Sequence, residues 1–168
     1  MQNMATTAHP VRIRRAERGD APALLRMVAA LAEHHGDIAT LTPRALERDL
    51  FGPSACASAL LALNGTDAVG YAVLSSSPRL HSGRRVMEVH HLFVDSAHRG
   101  TGVGRRLMAA AVVEARRQDC GELEVGTDAE NARAQAIYGS LGFAPRSPRG
   151  PRFALSLPAA GTLPEGWI

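Results

Sequence analysis

Lysine is missing from this chain; all 19 basic residues among its 168 are arginine. That absence alone removes the Walker phosphate loop, which ends in Gly-Lys-Ser/Thr. Aromatic residues are scarce at 4%, so the core must be aliphatic and alanine-rich. The interleaving of basic and stacking side chains that marks a nucleic-acid surface is not found either. A formal charge of +3 is too mild to separate coding bias from phosphate binding by arginine forks. Cys56 and Cys120 are too few for a disulfide framework, which points to reduced thiols and a cytoplasmic protein. No apolar run approaches the roughly 20 residues of a membrane span. The opening "MQNMATTAHPVRIRR" lacks the apolar stretch of a signal peptide. Nucleic-acid, membrane and disulfide-stapled classes thereby drop out.

What is there reads as one domain, residues 10–157, between a flexible start (1–9) and a loose tail (158–168). "VRIRRA" (11–16) alternates as a strand. Asp20 is placed to cap a helix with Pro22 in its first turn, carrying Leu24, Val28, Leu31 and His35 on one face and stopping at Gly36. Thr42-Pro43 opens a second, short helix with Leu46 and Leu50, which ends at Gly52. Apolar runs at 57–63 and 68–75 flank Asn64-Gly65, a hairpin signal. The looser "SSPRLHSGRR" leads to the β-rich "VMEVHHLFV" (86–94). A helix to about Gln118 follows, with Val103, Leu107, Ala111 and Ala115 as its buried stripe. Then come a strand at 122–127, a helix at 131–141 with Gly142 as its C-cap, and a last strand at 152–157. A helix joining the strands 86–94 and 122–127 makes them parallel, while the hairpin is antiparallel. The sheet is therefore mixed, in an α/β (α+β) chain.

The segment "VDSAHRGTGVGRRLM" (94–108) sets Gly100, Gly102 and Gly104 just ahead of a helix. Strand, bare turn and helix N-terminus together aim backbone N–H groups at phosphate oxygens. A dinucleotide GxGxxG fingerprint fails, because glycine would be needed at Arg105 or Leu107. The pattern that fits is R/Q-x-x-G-x-G/A, here Arg99-Gly100-Thr101-Gly102-Val103-Gly104. With it, and with "NARAQAIYGSLGF" (131–143) close to NxxAxxxYxxxGF, the chain resembles the GNAT superfamily of N-acetyltransferases over about residues 11–157. "LAEHHG", "LTPRALERDLFG" and "HHLFV" look more narrowly like its diamine and spermidine/spermine branch.

That resemblance implies a mostly antiparallel mixed sheet with a splayed parallel central pair and helices on both faces. It implies acetyl-CoA as co-substrate, a primary amine of a small molecule as acceptor, and a homodimer. Gly100 to Gly104 would hold the pyrophosphate, with Arg99 and Arg105 as charge partners. The pantetheine arm would pair with the edge of Leu92, Phe93 and Val94 like an added strand. A backbone N–H there would polarise the thioester oxygen. Tyr138 would protonate the leaving thiolate, and Asn131 caps its helix or touches the CoA arm.

The acceptor amine must also lose a proton. Period-two alternation in "VMEVHHLFV" sets Glu88, His90, Leu92 and Val94 on one side, and Val89, His91 and Phe93 on the other. His90 falls on the position of the family's candidate base, where the polyamine branch carries Glu-Asp at 90–91, and an imidazole suits that task. Glu88 is the alternative base, or the residue that orients His90. Adjacent histidines on opposite faces make a poor metal site, so no metal is expected. Two rival readings stay open: a protein or peptide N-acetyltransferase, and a non-catalytic acyl-CoA-binding module.

Overall fold

The computed structural model describes residues 10–146 and 153–154, and divides between Asn131 and Ala132 into two compact units. The first holds β1 (Arg12–Arg15), α1 (Ala21–His34), α2 (Pro43–Leu46), β2 (Ser58–Asn64), β3 (Asp67–Arg79), β4 (Arg84–Val94), α3 (Val103–Arg117) and β5 (Glu122–Val125). The strands pair in chain order, β1-β2-β3-β4-β5. The first three pairings are antiparallel and β4–β5 is parallel, the mixed sheet expected. The second unit contains α4 (Ala132–Ser140). Of the expected last strand at 152–157, Phe153 and Ala154 lie in no strand, and the rest falls outside the described residues, as do 1–9 and 158–168.

Alternation along the strands sends helices to both faces. Leu24 and Met27 of α1 and Leu46 of α2 pack with Ala59, Leu61, Tyr71 and Phe93, which share one face by cross-strand register. The opposite face receives α3. A Cβ built on Gly70 would stand 3.5 Å from Leu107 there, and the whole Val103, Leu107, Ala111 and Ala115 stripe is buried. On α1 the buried line is Leu24 and Met27; Val28 and Leu31 are half-buried and His35 is exposed, so the expected stripe is rotated. Asp20 makes no side-chain cap on α1. Its carboxylate instead binds Arg14 at 2.6 and 2.8 Å and accepts from the Glu17 N–H at 2.7 Å, since a forked guanidinium outcompetes a single amide. Thr42 does cap, accepting from the Ala45 N–H at 3.1 Å.

The "SSPRLHSGRR" stretch is no loose connection. It forms the far half of a long hairpin, with Ser76 to Arg79 paired to Met87 back to Arg84. Serines and Pro78 hide this from propensity. The ladder holds through its neighbour β5, whose Glu124 and Glu122 bind Arg79 at 2.6 Å and Arg84 at 3.3 Å.

Candidate active site

The chemistry-bearing part of β4 is distorted. Val73 pairs with His91 but Leu74 pairs with Val89, so His90 is an extra residue in the ladder. A bulge of this kind shifts the alternation by one. Tyr71, Val73 and Ser75 lie on one face of β3, and their partners Phe93, His91 and Glu88 lie on that face with them. His90 joins them, because its Nε2 is 2.7 Å from Ser75 Oγ and 3.9 Å from a Glu88 oxygen. This corrects the expected alternation: His90 and His91 are on the same side, with Glu88, and Leu92 and Val94 turn to the α3 side. The ground given for excluding a metal therefore fails, although among the described residues no group of three His, Cys, Asp or Glu side chains could hold one.

His91 is bound from below. Its Nδ1 is 3.1 Å from the hydroxyl of Tyr71, which has no exposed surface. Burial raises the Tyr71 phenol well above its usual range. Burial lowers the His91 pKa, and nearby His90 and His35 push the same way. Tyr71, Ser75 and His91 meet on this face, which sequence patterning missed because a bulge leaves no periodic signal.

Beyond the bulge β4 parts from β5. The parallel pairing covers only Val86–Val89 against Glu122–Val125, so among the described residues the edge of 90–94 facing β5 carries no strand. Of the three residues expected there, Leu92 and Val94 are half-buried, while Phe93 is in the core. What each can offer a cofactor is its main chain.

The glycine loop follows. Gly100 and Gly102 have φ of +79° and +87°, a left-handed conformation that disfavours side chains. A Cβ built on either meets nothing within 4 Å, so the space over the loop is open. Gly102 is the N-cap of α3 and supplies no side-chain cap. The first helical bond is from the Arg106 N–H to the Gly102 carbonyl, 3.1 Å, which leaves the N–H groups of Val103, Gly104 and Arg105 heading the helix toward that space. Val103 contributes only this main chain, its side chain being buried. Thr101 braces the loop by donating to the His98 carbonyl at 2.7 Å. Arg99 is exposed and donates to the Val94 carbonyl at 3.0 Å. Arg105 is exposed, whereas Arg106 is occupied with the Val11 carbonyl at 2.8 Å. Open glycines, a helix head without a side-chain cap and two reachable guanidiniums fit a pyrophosphate. A cavity of about 580 Å³ lies elsewhere, between Pro22, Arg26, Asp67 and His98, and none of Glu88 to Val94 lines it.

In the second unit, Tyr138 sits on α4 with its ring edge-on to Phe143, 6.0 Å between centres. Burial raises its pKa, so the phenol keeps its proton at neutral pH. Gly142, at φ +91°, closes the helix as expected. Asn131 immediately precedes α4 and donates its N–H to the Asp128 carbonyl at 3.1 Å.

Comparison with known proteins agrees with this geometry. The model of the acetyltransferase (GNAT) family matches residues 24–143. The chain is 28% identical over 142 residues to thialysine N-epsilon-acetyltransferase of Bos taurus, covering 79% of this chain and 83% of that one. It is 35% identical over 140 residues to the N-alpha-acetyltransferase RimI of Mycobacterium tuberculosis, covering 83% and 82%. Among solved structures, ribosomal-protein-alanine N-acetyltransferase from Brucella melitensis biovar Abortus 2308 superposes with a TM-score of 0.71 at 22% identity, over 86% of this chain and 100% of that one, a likeness of fold. The chain belongs to the acetyltransferase (GNAT) family, and it is an N-acetyltransferase.

Proposed function

We propose that this enzyme moves the acetyl group of acetyl-CoA onto the primary amine of a small molecule by direct attack. The observation that carries the reading is the β4 edge beyond Val89, unpaired among the described residues, running straight into a glycine loop with open space above it. Gly100 to Gly104 and the N–H groups of Val103, Gly104 and Arg105 cradle the pyrophosphate, and Arg99 and Arg105 neutralise it. The main chain of Leu92 to Val94 pairs with the pantetheine arm, and one of its N–H groups polarises the thioester carbonyl. Acetyl-CoA supplies the activated acyl group. His90, with Glu88 3.9 Å away, takes the proton from the acceptor ammonium; if its Nε2–H donates to Ser75, its Nδ1 lone pair is free to do so. The new C–N bond forms as the C–S bond breaks; Tyr138 gives its proton to the departing sulfur and is restored by the proton that the new amide nitrogen sheds. Asn131 steadies the arm beside the start of α4. Cys120 carries no acyl group in this scheme, and burial raises its thiol pKa. The enzyme works as a homodimer in the cytoplasm, where Cys56 and Cys120, both free, stay reduced.

A protein N-terminus is the second reading, favoured by the likeness to RimI. Release of free CoA over a panel of small amines, aminoglycosides and N-terminal peptides tests both. Turnover is expected with a small amine above any peptide. Turnover confined to peptides would establish the second reading, and acetyl-CoA binding without release would make the chain a non-catalytic module.

A further inference from the structure

The Tyr71–His91 pair has a consequence for which acceptors the site can take. Tyr71 is wholly buried, and its hydroxyl lies 3.1 Å from His91 Nδ1. A buried hydroxyl whose proton has no acceptor is destabilising. An imidazole nitrogen is a better acceptor than a phenol oxygen, so the stable arrangement has the Tyr71 O–H donating to Nδ1. A neutral imidazole carries one proton. With Nδ1 accepting, that proton is on Nε2, at the ring edge directed away from Tyr71. His91 is part-buried where it meets Tyr71 but keeps exposed surface as a residue, which leaves this edge for the acceptor side of the bulge. It presents a donor there, not a base.

We propose that His91, oriented by the buried Tyr71, is an acceptor-specificity residue that donates Nε2–H to a carboxylate on the acceptor, so that the preferred substrates are amino-acid-like amines. The inference rests on the acetyltransferase reading above and leaves proton removal to His90 and Glu88. Three imidazoles gather here: His90 shares the face, and His35 is close enough to act electrostatically on His91. Glu88 is the opposing charge on this face, and it lies against His90, 3.9 Å away. A carboxylate seated at His91 meets a donor, and a distal ammonium there meets none of the acceptors it needs.

The test compares acceptors differing only in that carboxylate: leucine against 3-methylbutylamine, and lysine against 1,5-diaminopentane. The wild-type enzyme should prefer the amino acid of each pair by tenfold or more in kcat/KM. His91→Ala should bring the ratio near unity by raising KM for the amino acid, with the decarboxylated amine and the KM for acetyl-CoA unchanged. Tyr71→Phe, which keeps the buried ring, should lose part of the same preference. Nitrogen NMR of the imidazoles gives an independent reading. His91 should be the Nε2–H tautomer in the wild type, and a mixture in Tyr71→Phe. Preference for the bare amine, a ratio unchanged in His91→Ala, or an Nδ1–H tautomer would overturn the proposal. Absence of CoA release with every acceptor would instead overturn the acetyltransferase reading, while the tautomer is still read by NMR.

Discussion

Replacing Gly102 by valine separates folding from cofactor binding at the glycine loop. The residue has φ of +87°, and a β-branched side chain held in the left-handed region costs about 1–2 kcal/mol. Among the described residues nothing beyond its chain neighbours stands within 4 Å of the added Cβ, so the Cβ itself adds no clash to that cost. A domain of this size loses about 2–4 °C in Tm per kcal/mol, and Gly102→Val should therefore unfold a few degrees early but still fold. Its effect on acetyl-CoA should be larger. The side chain enters the open space above the loop, and relaxation of the αL turn misaims the N–H groups of Val103 and Gly104. Each hydrogen bond to a charged group is worth about 1.5–3 kcal/mol, so even partial loss weakens binding tenfold or more, about 1.4 kcal/mol. Gly104→Ala is the control for stability. It sits within α3, its Cβ would lie 3.8 Å from a Val94 methyl, and it should gain about 0.5–1 kcal/mol. Thermal unfolding and calorimetric titration with acetyl-CoA measure the two effects separately. Unchanged affinity in a folded Gly102→Val protein would remove the loop from the cofactor site.

Tyr138→Phe should lower kcat about a hundredfold, the scale of a general acid, with acetyl-CoA affinity nearly unchanged; full turnover on a poor amine would make the tyrosine structural. His90→Ala should lower kcat/KM about a hundredfold, and an undiminished rate would return the base to Glu88 or to water. Spermidine and spermine should be poor acceptors beside a monoamine or an amino acid, measured as kcat/KM, and efficient spermidine acetylation would refute the account of the bulge face. Glu114 is buried on α3; hydrogen bonds from Arg117, then Gln118, and the charge of Arg15 hold its carboxyl down from 4.5 to about 2. Because the folded value is depressed, its stabilisation is complete above about pH 4.5 and is lost as pH falls toward 2. Glu114→Gln should cost about 1–3 kcal/mol near neutral pH and flatten that acid loss in denaturant titrations.

Local patterning carried most of the fold. The α3 stripe was readable because a 15-residue helix repeats its apolar spacing three times. Asn64-Gly65 marked a hairpin because one left-handed glycine suffices to turn the chain. The glycine loop was legible for the same reason: its function is written in residues that lack side chains. The far end of the β3–β4 hairpin was not, since Ser76, Ser77 and Pro78 are poor strand formers held by pairing across a ladder. The rotation of α1 also escaped, because choosing Met27 over His35 is settled by contact with Leu46 and Phe93, which the helix's own spacing does not contain.

The bulge at His90 was the most consequential omission, and it links the two halves of the site. An extra residue in β4 changes which side chains face α1, so Glu88, His90 and His91 gather over Tyr71 and Ser75 instead of splitting between faces. The same stretch is where β4 leaves β5, the last parallel pair being Val89 with Val125. An uninterrupted strand would turn His91 away from Glu88, while the edge opens because β5 ends at Val125. With the bulge, an open main-chain edge and a cluster of imidazoles begin within one residue of each other. On the proposed function, the acyl donor lies along that edge and the acceptor over that face, and a single irregularity in the sheet sets the distance between thioester and amine.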